Sequence, residues 1–252
     1  MDWADEKTIR LGETEFQIIE NVFEMFAIES TGQRFLLGKL RPMVDWYEEL
    51  LRPMERPRVF ELGIFKGGSA AFFHALCPPH KLVAIEYEKK RVEALDEYIQ
   101  AQDCADTLVP YYGVNQADTK ELNKILDREF PGEELDVVID DASHFLKETR
   151  TSFNVLFPRL RVGGLYVIED WGWAHCTSDL VQKRRGLWNK QPALSILIFE
   201  ILMAMASDLN LIESIRVTGQ MAVITRGKTP INGPFDISKC YATRGRRFKP
   251  GI

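Results

Sequence analysis

Long apolar runs are missing from this sequence. No stretch approaches the roughly 20 apolar residues that a membrane-spanning helix requires, so no membrane partner is expected. The first residues, M-D-W-A-D-E-K, are acidic and lack the apolar core of a signal peptide, so no leader is expected either. Positive charge is in deficit: 32 Lys and Arg against 37 Asp and Glu leave a net charge of −5, and no global basic field argues for nucleic acid. The four cysteines, Cys77, Cys104, Cys176 and Cys240, form no C-x-x-C pair. That excludes a zinc knuckle and a disulfide framework and makes a reducing cytoplasm the expected compartment. No internal repeat and no low-complexity segment is present.

What is present is an ordinary globular composition, 45% hydrophobic and 27% charged, over 252 residues. That length suits one large domain or one domain with an appendage. Residues 1–57 read as an N-terminal helical cap. Phe16, Ile19, Val22, Phe23 and Phe26 recur at helical spacing, and a second helix is expected over Leu40–Leu51, between Pro42 and Pro53. From Arg58 onward strands and helices alternate, as in a parallel sheet covered by helices. Strands are expected at Val59–Leu62, Leu82–Ile85, Leu108–Tyr112, Val137–Ile139 and Leu165–Ile168, the last following an R-V-G-G turn. Helices are expected near 69–76, 89–101, 120–130, 147–157 and 192–206. Two β-like runs, Leu211–Val217 and Gln220–Thr225, flank T-G and close the chain as a hairpin. The expected fold class is α/β: a Rossmann-like, seven-stranded sheet, mostly parallel with a C-terminal antiparallel hairpin, the layout of class I methyltransferases. Residues 58–227 would be the catalytic domain and 228–252 a basic extension carrying Arg244, Arg246, Arg247 and Lys249. That extension reads as a solvated tail or as a patch for an anionic ligand or partner subunit.

Where the first α/β strand meets its helix the chain reads F-E-L-G-I-F-K-G-G-S. Gly63, Gly67 and Gly68 let the backbone approach a ligand without a Cβ in the way. The spacing G-x-x-x-G-G differs from the G-x-G-x-x-G that aims a helix at a pyrophosphate. It suits a donor without phosphates, such as S-adenosylmethionine, with Glu61 and Ser69 flanking the glycines. A glycine-rich βα turn with no ligand is the bland alternative. Glu86 ends the second strand, 23 residues after Gly63, where a carboxylate can accept hydrogen bonds from ribose hydroxyls. Gln116 and Asp118, in G-V-N-Q-A-D, fall where an adenine would lie, although plain loop positions explain them equally well.

The fourth strand ends I-D-D-A-S-H and the fifth ends V-I-E-D-W. Two strands that stop at acid pairs deliver carboxylates to one edge of a sheet, where ligands bind in open α/β folds. Like charges gathered there raise one another's pKa unless a cation joins them, and hard divalent ions prefer such oxygens. Asp141, Glu169 and Asp170 are the expected Mg²⁺ ligands, and Glu61 could join them. Only one of two neighbouring carboxylates need face a metal, so Asp140 falls to the cofactor side or to a structural role. His144, three residues past Asp141, is the expected general base. His175, in W-G-W-A-H, is a weaker candidate, and Trp171 and Trp173 beside it could wall a sugar or simply pack as core or lid.

Together I-D-D-A-S-H, S-F-N-V-L-F-P-R-L-R-V-G-G-L-Y-V-I-E-D-W and E-L-G-I-F-K-G-G-S resemble the metal-dependent sugar O-methyltransferases of the macrocin and mycinamicin type, a family that also includes cephalosporin-hydroxylase-like proteins. The resemblance runs over about residues 58–225. It implies His144 as base, Asp141, Asp170 and either Glu61 or Glu169 on Mg²⁺, a pocket lid formed by small N-terminal helices, and a homo-oligomer. Ala142 stands where that family has glycine in D-D-G-S-H. The implied activity is S-adenosylmethionine- and Mg²⁺-dependent methylation of a sugar hydroxyl, on a glycosylated natural product or on an oligosaccharide such as a methylated mannan. Competing expectations are a catechol-type O-methyltransferase, a non-catalytic S-adenosylmethionine-binding partner, and, more weakly, an NAD-dependent oxidoreductase.

Overall fold

A computed structural model describes residues 1–183 and 187–248. The chain forms two compact units, Met1–Asn115 and Gln116–Ile252.

The first unit begins with a small sheet. Strands β1 (Asp2–Trp3), β2 (Thr8–Leu11), β3 (Thr14–Ile18) and β4 (Arg34–Leu37) lie in the order β1-β2-β3-β4. The first three are antiparallel neighbours, and β4 runs parallel to β3. Helices α1 (Val22–Ala27) and α2 (Arg41–Leu51) complete it. The expected helix through Phe16 is therefore a strand, and the N-terminal cap is as much sheet as helix. The reason is period two: Thr14, Phe16 and Ile18 are buried while Glu15 and Gln17 are half-buried. Gly12, at φ 62°, supplies the left-handed residue of the β2–β3 turn. Phe23 and Phe26, read as part of a helical core face, are exposed on α1. The second helix falls where Pro42 and Pro53 bracket it.

The same unit continues with β5 (Arg58–Leu62), α3 (Gly68–Leu76), β6 (Lys81–Glu86), α4 (Glu93–Ala101) and β7 (Leu108–Tyr112), the three strands parallel. Val59, Phe60, Leu62 and Leu82–Ile85 are buried nearly continuously, as strands covered on both faces must be. Phe16 of β3 meets Phe35 of β4 at 5.9 Å and Phe72 of α3 at 5.5 Å, so the small sheet and α3 share one aromatic core.

The second unit carries α5 (Thr119–Glu129), β8 (Leu135–Asp140), α6 (Leu146–Leu156), β9 (Leu160–Glu169), α7 (Asp179–Gln182), α8 (Leu187–Lys190), α9 (Ser195–Ser207), β10 (Ile212–Val217) and β11 (Met221–Arg226). Strand β9 runs parallel to β8 and antiparallel to β11, which pairs in turn with β10 as a hairpin. The R-V-G-G segment is a bulge inside β9 rather than a turn before it: the β8–β9 register jumps from Leu135↔Leu160 to Val137↔Leu165, and Gly163 sits at φ 76°. Strands β5–β11 make the seven-stranded sheet in the order β10-β11-β9-β8-β5-β6-β7, mostly parallel with an antiparallel end. The α/β fold class stands as read from the sequence. Among the described residues no helix is long and apolar enough to cross a membrane. Lys249, at the end of the basic tail, lies outside the described residues.

Candidate active site

The glycine turn of the first unit is held by a carboxylate. Glu86, the last residue of β6, accepts the N–H groups of Ile64 (3.1 Å) and Phe65 (2.8 Å) on Oε2 and that of Glu88 (3.0 Å) on Oε1. Each carboxylate oxygen has room for about two hydrogen bonds, so Oε1 keeps acceptor capacity for a hydroxyl. The turn enters left-handed backbone at Gly63 (φ 99°), Phe65 (φ 49°) and Gly67 (φ 81°). Gly67 precedes the first residue of α3, and no side chain caps that helix. The two later glycines also have a packing cause. A Cβ on Gly68 would lie 1.8 Å from the Leu36 carbonyl oxygen, and one on Gly67 would press on Leu95 and Val92. At Gly68 the lack of a side chain is thus demanded by a protein contact, whatever else its N–H does. Ser69 follows in the first turn of α3, and Glu61 is fully buried in β5.

In the second unit each strand-end acid pair splits. Asp140 is buried and accepts from Ser152 Oγ (2.7 Å), Tyr166 Oη (2.9 Å) and Gln116 Nε2 (3.1 Å). Burial pushes its carboxyl up to about 6, against the lowering by Ser152, Tyr166, the His144 charge and Gln116. Gln116, buried as well, accepts the Ser143 N–H on its other amide atom at 2.9 Å. Its amide and the Asp140 carboxylate thus clamp the β8–α6 turn from inside. Asp118 is the N-cap of α5, taking the N–H groups of Lys120 and Glu121 at 3.1 Å each, which explains it without an adenine.

The other member of each pair faces outward into a cluster. Asp141, His144 and Asp170 are all half-buried, and each offers one ligand atom within 4.8 Å of the others. Nε2 of His144 lies 3.9 Å from Oδ1 of Asp141. Two residues of the cluster hold left-handed backbone without being glycine: His144 (φ 57°) and Asp170 (φ 51°). Such strain persists where the surroundings impose it, and it gathers at functional sites. Glu169 is not in the cluster. It is the last residue of β9 and is buried, and the chain turns left-handed immediately after it, so only Asp170 is presented. Two hard oxygens and an imidazole, all half-buried, suit a divalent cation.

Three contacts here were not read from the sequence: Ser152 and Tyr166 on Asp140, and the Trp173 indole N–H, which donates to the His144 carbonyl at 2.8 Å. A serine and a tyrosine at buried positions of an apolar helix face and strand are signals that a polar partner lies opposite. Trp171 donates to Thr218 O at 2.8 Å, tying the end of β9 to the hairpin turn. His175 pairs with Ser195 Oγ at 2.8 Å, away from the cluster.

Residues 60–171 match a family model described as a methyltransferase domain. Over 126 residues the chain is 34% identical to the 8-demethyl-8-(2-methoxy-alpha-L-rhamnosyl)-tetracenomycin-C 3'-O-methyltransferase of Streptomyces olivaceus, covering 47% of this chain and 29% of that protein. Over 125 residues it is 34% identical to the mycinamicin VI 2''-O-methyltransferase of Micromonospora griseorubida, covering 46% of this chain and 27% of that one. MycE methyltransferase, solved in complex with Mg and SAH, superposes with a TM-score of 0.56 at 26% identity, over 76% of this chain and 51% of that chain. The chain therefore spans under a third of the length of these curated relatives and about half of the solved MycE chain. The matched residues take in the glycine turn, the β8 acid pair, His144 and the β9 acid pair.

Proposed function

We propose that the protein is an S-adenosylmethionine- and Mg²⁺-dependent O-methyltransferase that acts on a sugar hydroxyl of a glycosylated natural product or an oligosaccharide. The observation that carries this is the Asp141–His144–Asp170 cluster. The similarity to sugar O-methyltransferases and to MycE, a protein solved with Mg and SAH, supports it.

In this reading Asp141 and Asp170 would hold the divalent ion, and Glu86, whose Oε1 keeps acceptor capacity, would accept from the donor's ribose hydroxyls, with Glu61, Gly63, Gly67, Gly68 and Ser69 as the other donor-binding residues. When bound, the metal lowers the pKa of the acceptor hydroxyl and orients it, and S-adenosylmethionine supplies the electrophilic methyl. His144 Nε2, 3.9 Å from Asp141 Oδ1, would take the hydroxyl proton. No side chain need act as a nucleophile, so the protein's contribution is orientation and charge stabilisation. Residues 58–227 would form the catalytic domain, residues 1–57 an accessory cap, and residues 228–252 an extension. A cytoplasmic homo-oligomer fits the four free cysteines and the exposed Phe23 and Phe26.

The test is turnover with S-adenosylmethionine and a panel of glycosides, with and without EDTA. Activity should vanish in EDTA and return with Mg²⁺, and His144→Ala should lower kcat by about 10²–10⁴-fold. Full activity in EDTA would sink the metal role, and full activity of His144→Ala would sink the base.

A further inference from the structure

A chain of buried polar groups runs through the second unit to the turn that carries Asp141 and His144. Gln116 opens this unit, two residues ahead of Asp118, the N-cap of α5, and its side chain is buried. Nε2 of Gln116 donates to Asp140 Oδ1 at 3.1 Å and to Ser152 Oγ at 3.3 Å, while Oε1 accepts the Ser143 N–H at 2.9 Å. Both ends of the amide are therefore engaged. Turning it over would set its oxygen against the Asp140 carboxylate and its NH2 against a backbone N–H, so the bridge has one orientation. Asp140 is fixed in turn by Ser152 Oγ at 2.7 Å and by Tyr166 Oη at 2.9 Å, both from buried residues.

The far end of the bridge meets the turn at a strained point. His144, at φ 57°, is flanked by two backbone N–H groups that side chains hold. Gln116 takes that of Ser143, and Ser143 Oγ takes that of Phe145 at 3.2 Å. The left-handed conformation at 144 is thus imposed by its surroundings, beginning at Gln116. Asp141 lies two residues before Ser143 in the same turn. Stability alone does not call for such a bridge, because apolar groups of the same shape in place of a buried hydrogen-bonded pair are often nearly neutral. What apolar packing does not supply is direction: it points no particular N–H at a particular place.

We propose that Gln116 is a positioning residue for the reaction. Anchored on Asp140, it sets where the Asp141–His144 turn stands, and so where the base lies relative to the metal ligand. The proposal rests on the methyltransferase reading above and adds to it a residue that acts through the turn. Gln116→Met keeps the length and bulk and removes the bonds at both ends. It should lower kcat by about 10–100-fold with the KM for donor and acceptor within about twofold of wild type. Hydrogen exchange of the Ser143 amide in the full chain should quicken by about tenfold or more, since its acceptor is gone. Gln116→Asn keeps an amide but is one methylene too short to span both partners, and should lower kcat the same way by a smaller factor.

Two further variants separate positioning from plain stability. Asp140→Asn can keep its oxygen toward Gln116, and the Ser152 and Tyr166 hydroxyls, which donate or accept, can turn to meet its NH2. It should hold kcat within about threefold of wild type and leave Ser143 exchange slow. Ser152→Ala removes a donor to Asp140 but leaves Gln116 on Ser143, so it should lower the urea midpoint with kcat little changed. Wild-type kcat in both Gln116 variants overturns the proposal and leaves the functional reading intact. So does a kcat loss in Ser152→Ala as large as that in Gln116→Met, which would make the network merely structural. No methyl transfer from S-adenosylmethionine to any glycoside or catechol by the wild-type chain overturns the functional reading, and this proposal with it.

Discussion

The turn after β5 and the turns after β8 and β9 all bend the chain through left-handed backbone, but they do so with different residues. After β5 the left-handed positions include Gly63 and Gly67, where the conformation carries no Cβ penalty. After β8 and β9 they are His144 and Asp170, where an L-residue costs about 1–2 kcal/mol. Gly68 is also excluded from carrying a side chain by the Leu36 carbonyl, and a Cβ on Gly67 would press on Leu95 and Val92. In the first turn Gly68 answers a packing demand and Phe65 is the one left-handed residue that is not glycine, whereas the left-handed residues of the other two turns are His144 and Asp170, the side chains proposed to carry the chemistry. A glycine motif and an acid motif, equally conspicuous in the sequence, carry different physical information.

The largest effect that would break this comparison is in the first turn. Gly68→Ala must push the Leu36 carbonyl or its own helix aside, and it should destabilise the fold by about 3 kcal/mol in urea unfolding. A variant as stable as wild type would show that the glycine is kept for a ligand and not for packing. A smaller effect tests the division within the β8 acid pair. Ser152→Ala takes a 2.7 Å donor from buried Asp140 and should lose about 1–3 kcal/mol of stability while Mg²⁺ affinity holds. Loss of Mg²⁺ affinity in isothermal titration, at unchanged stability, would reverse the roles of Asp140 and Asp141. The smallest effect addresses the strain itself. His144→Gly and His144→Ala both lack the imidazole, but only the alanine keeps a Cβ at φ 57°. The glycine variant should be the more stable by about 0.5–1 kcal/mol in thermal melts, after its larger unfolded-state entropy is set against the relief. Equal stabilities would mean that the backbone at 144 is not strained.

Much of the fold was legible because its signals are local. Strand β7 falls on the expected Leu108–Tyr112, and β5, β6, α3 and α5 lie within a residue or so of their expected bounds. Apolar runs of strand length and amphipathic stretches of helix length recur with turn residues between them, and such patterns need no knowledge of distant contacts. The N-terminal segment was misread because Phe16, Ile19, Val22, Phe23 and Phe26 fit a helical period by coincidence across a strand, a loop and a short helix. The decisive alternation of Thr14, Phe16 and Ile18 spans only five residues, and strand β4, which pairs with it, comes 16 residues later. Such pairing is non-local, and no window on the sequence contains it.

The candidate site divides along the same line. By themselves, the residues determined that β8 and β9 end in acids, that a histidine follows the first pair by three positions, and that Glu86 closes β6, because strand length and spacing place those side chains. Only the tertiary structure decided which acid of each pair lies in the cluster with His144. Ser152 and Tyr166 draw Asp140 inward, burial removes Glu169, and Asp141 and Asp170 are left beside His144. It also decided that Gln116 serves a clamp, that Gly68 answers to a carbonyl in another sheet, and that the Trp173 indole reaches the His144 backbone. Each of these depends on two groups far apart in the chain meeting at a few ångströms. Composition and period constrain what one segment can do, but a hydrogen bond between segments exists only once packing has brought both partners to the same place.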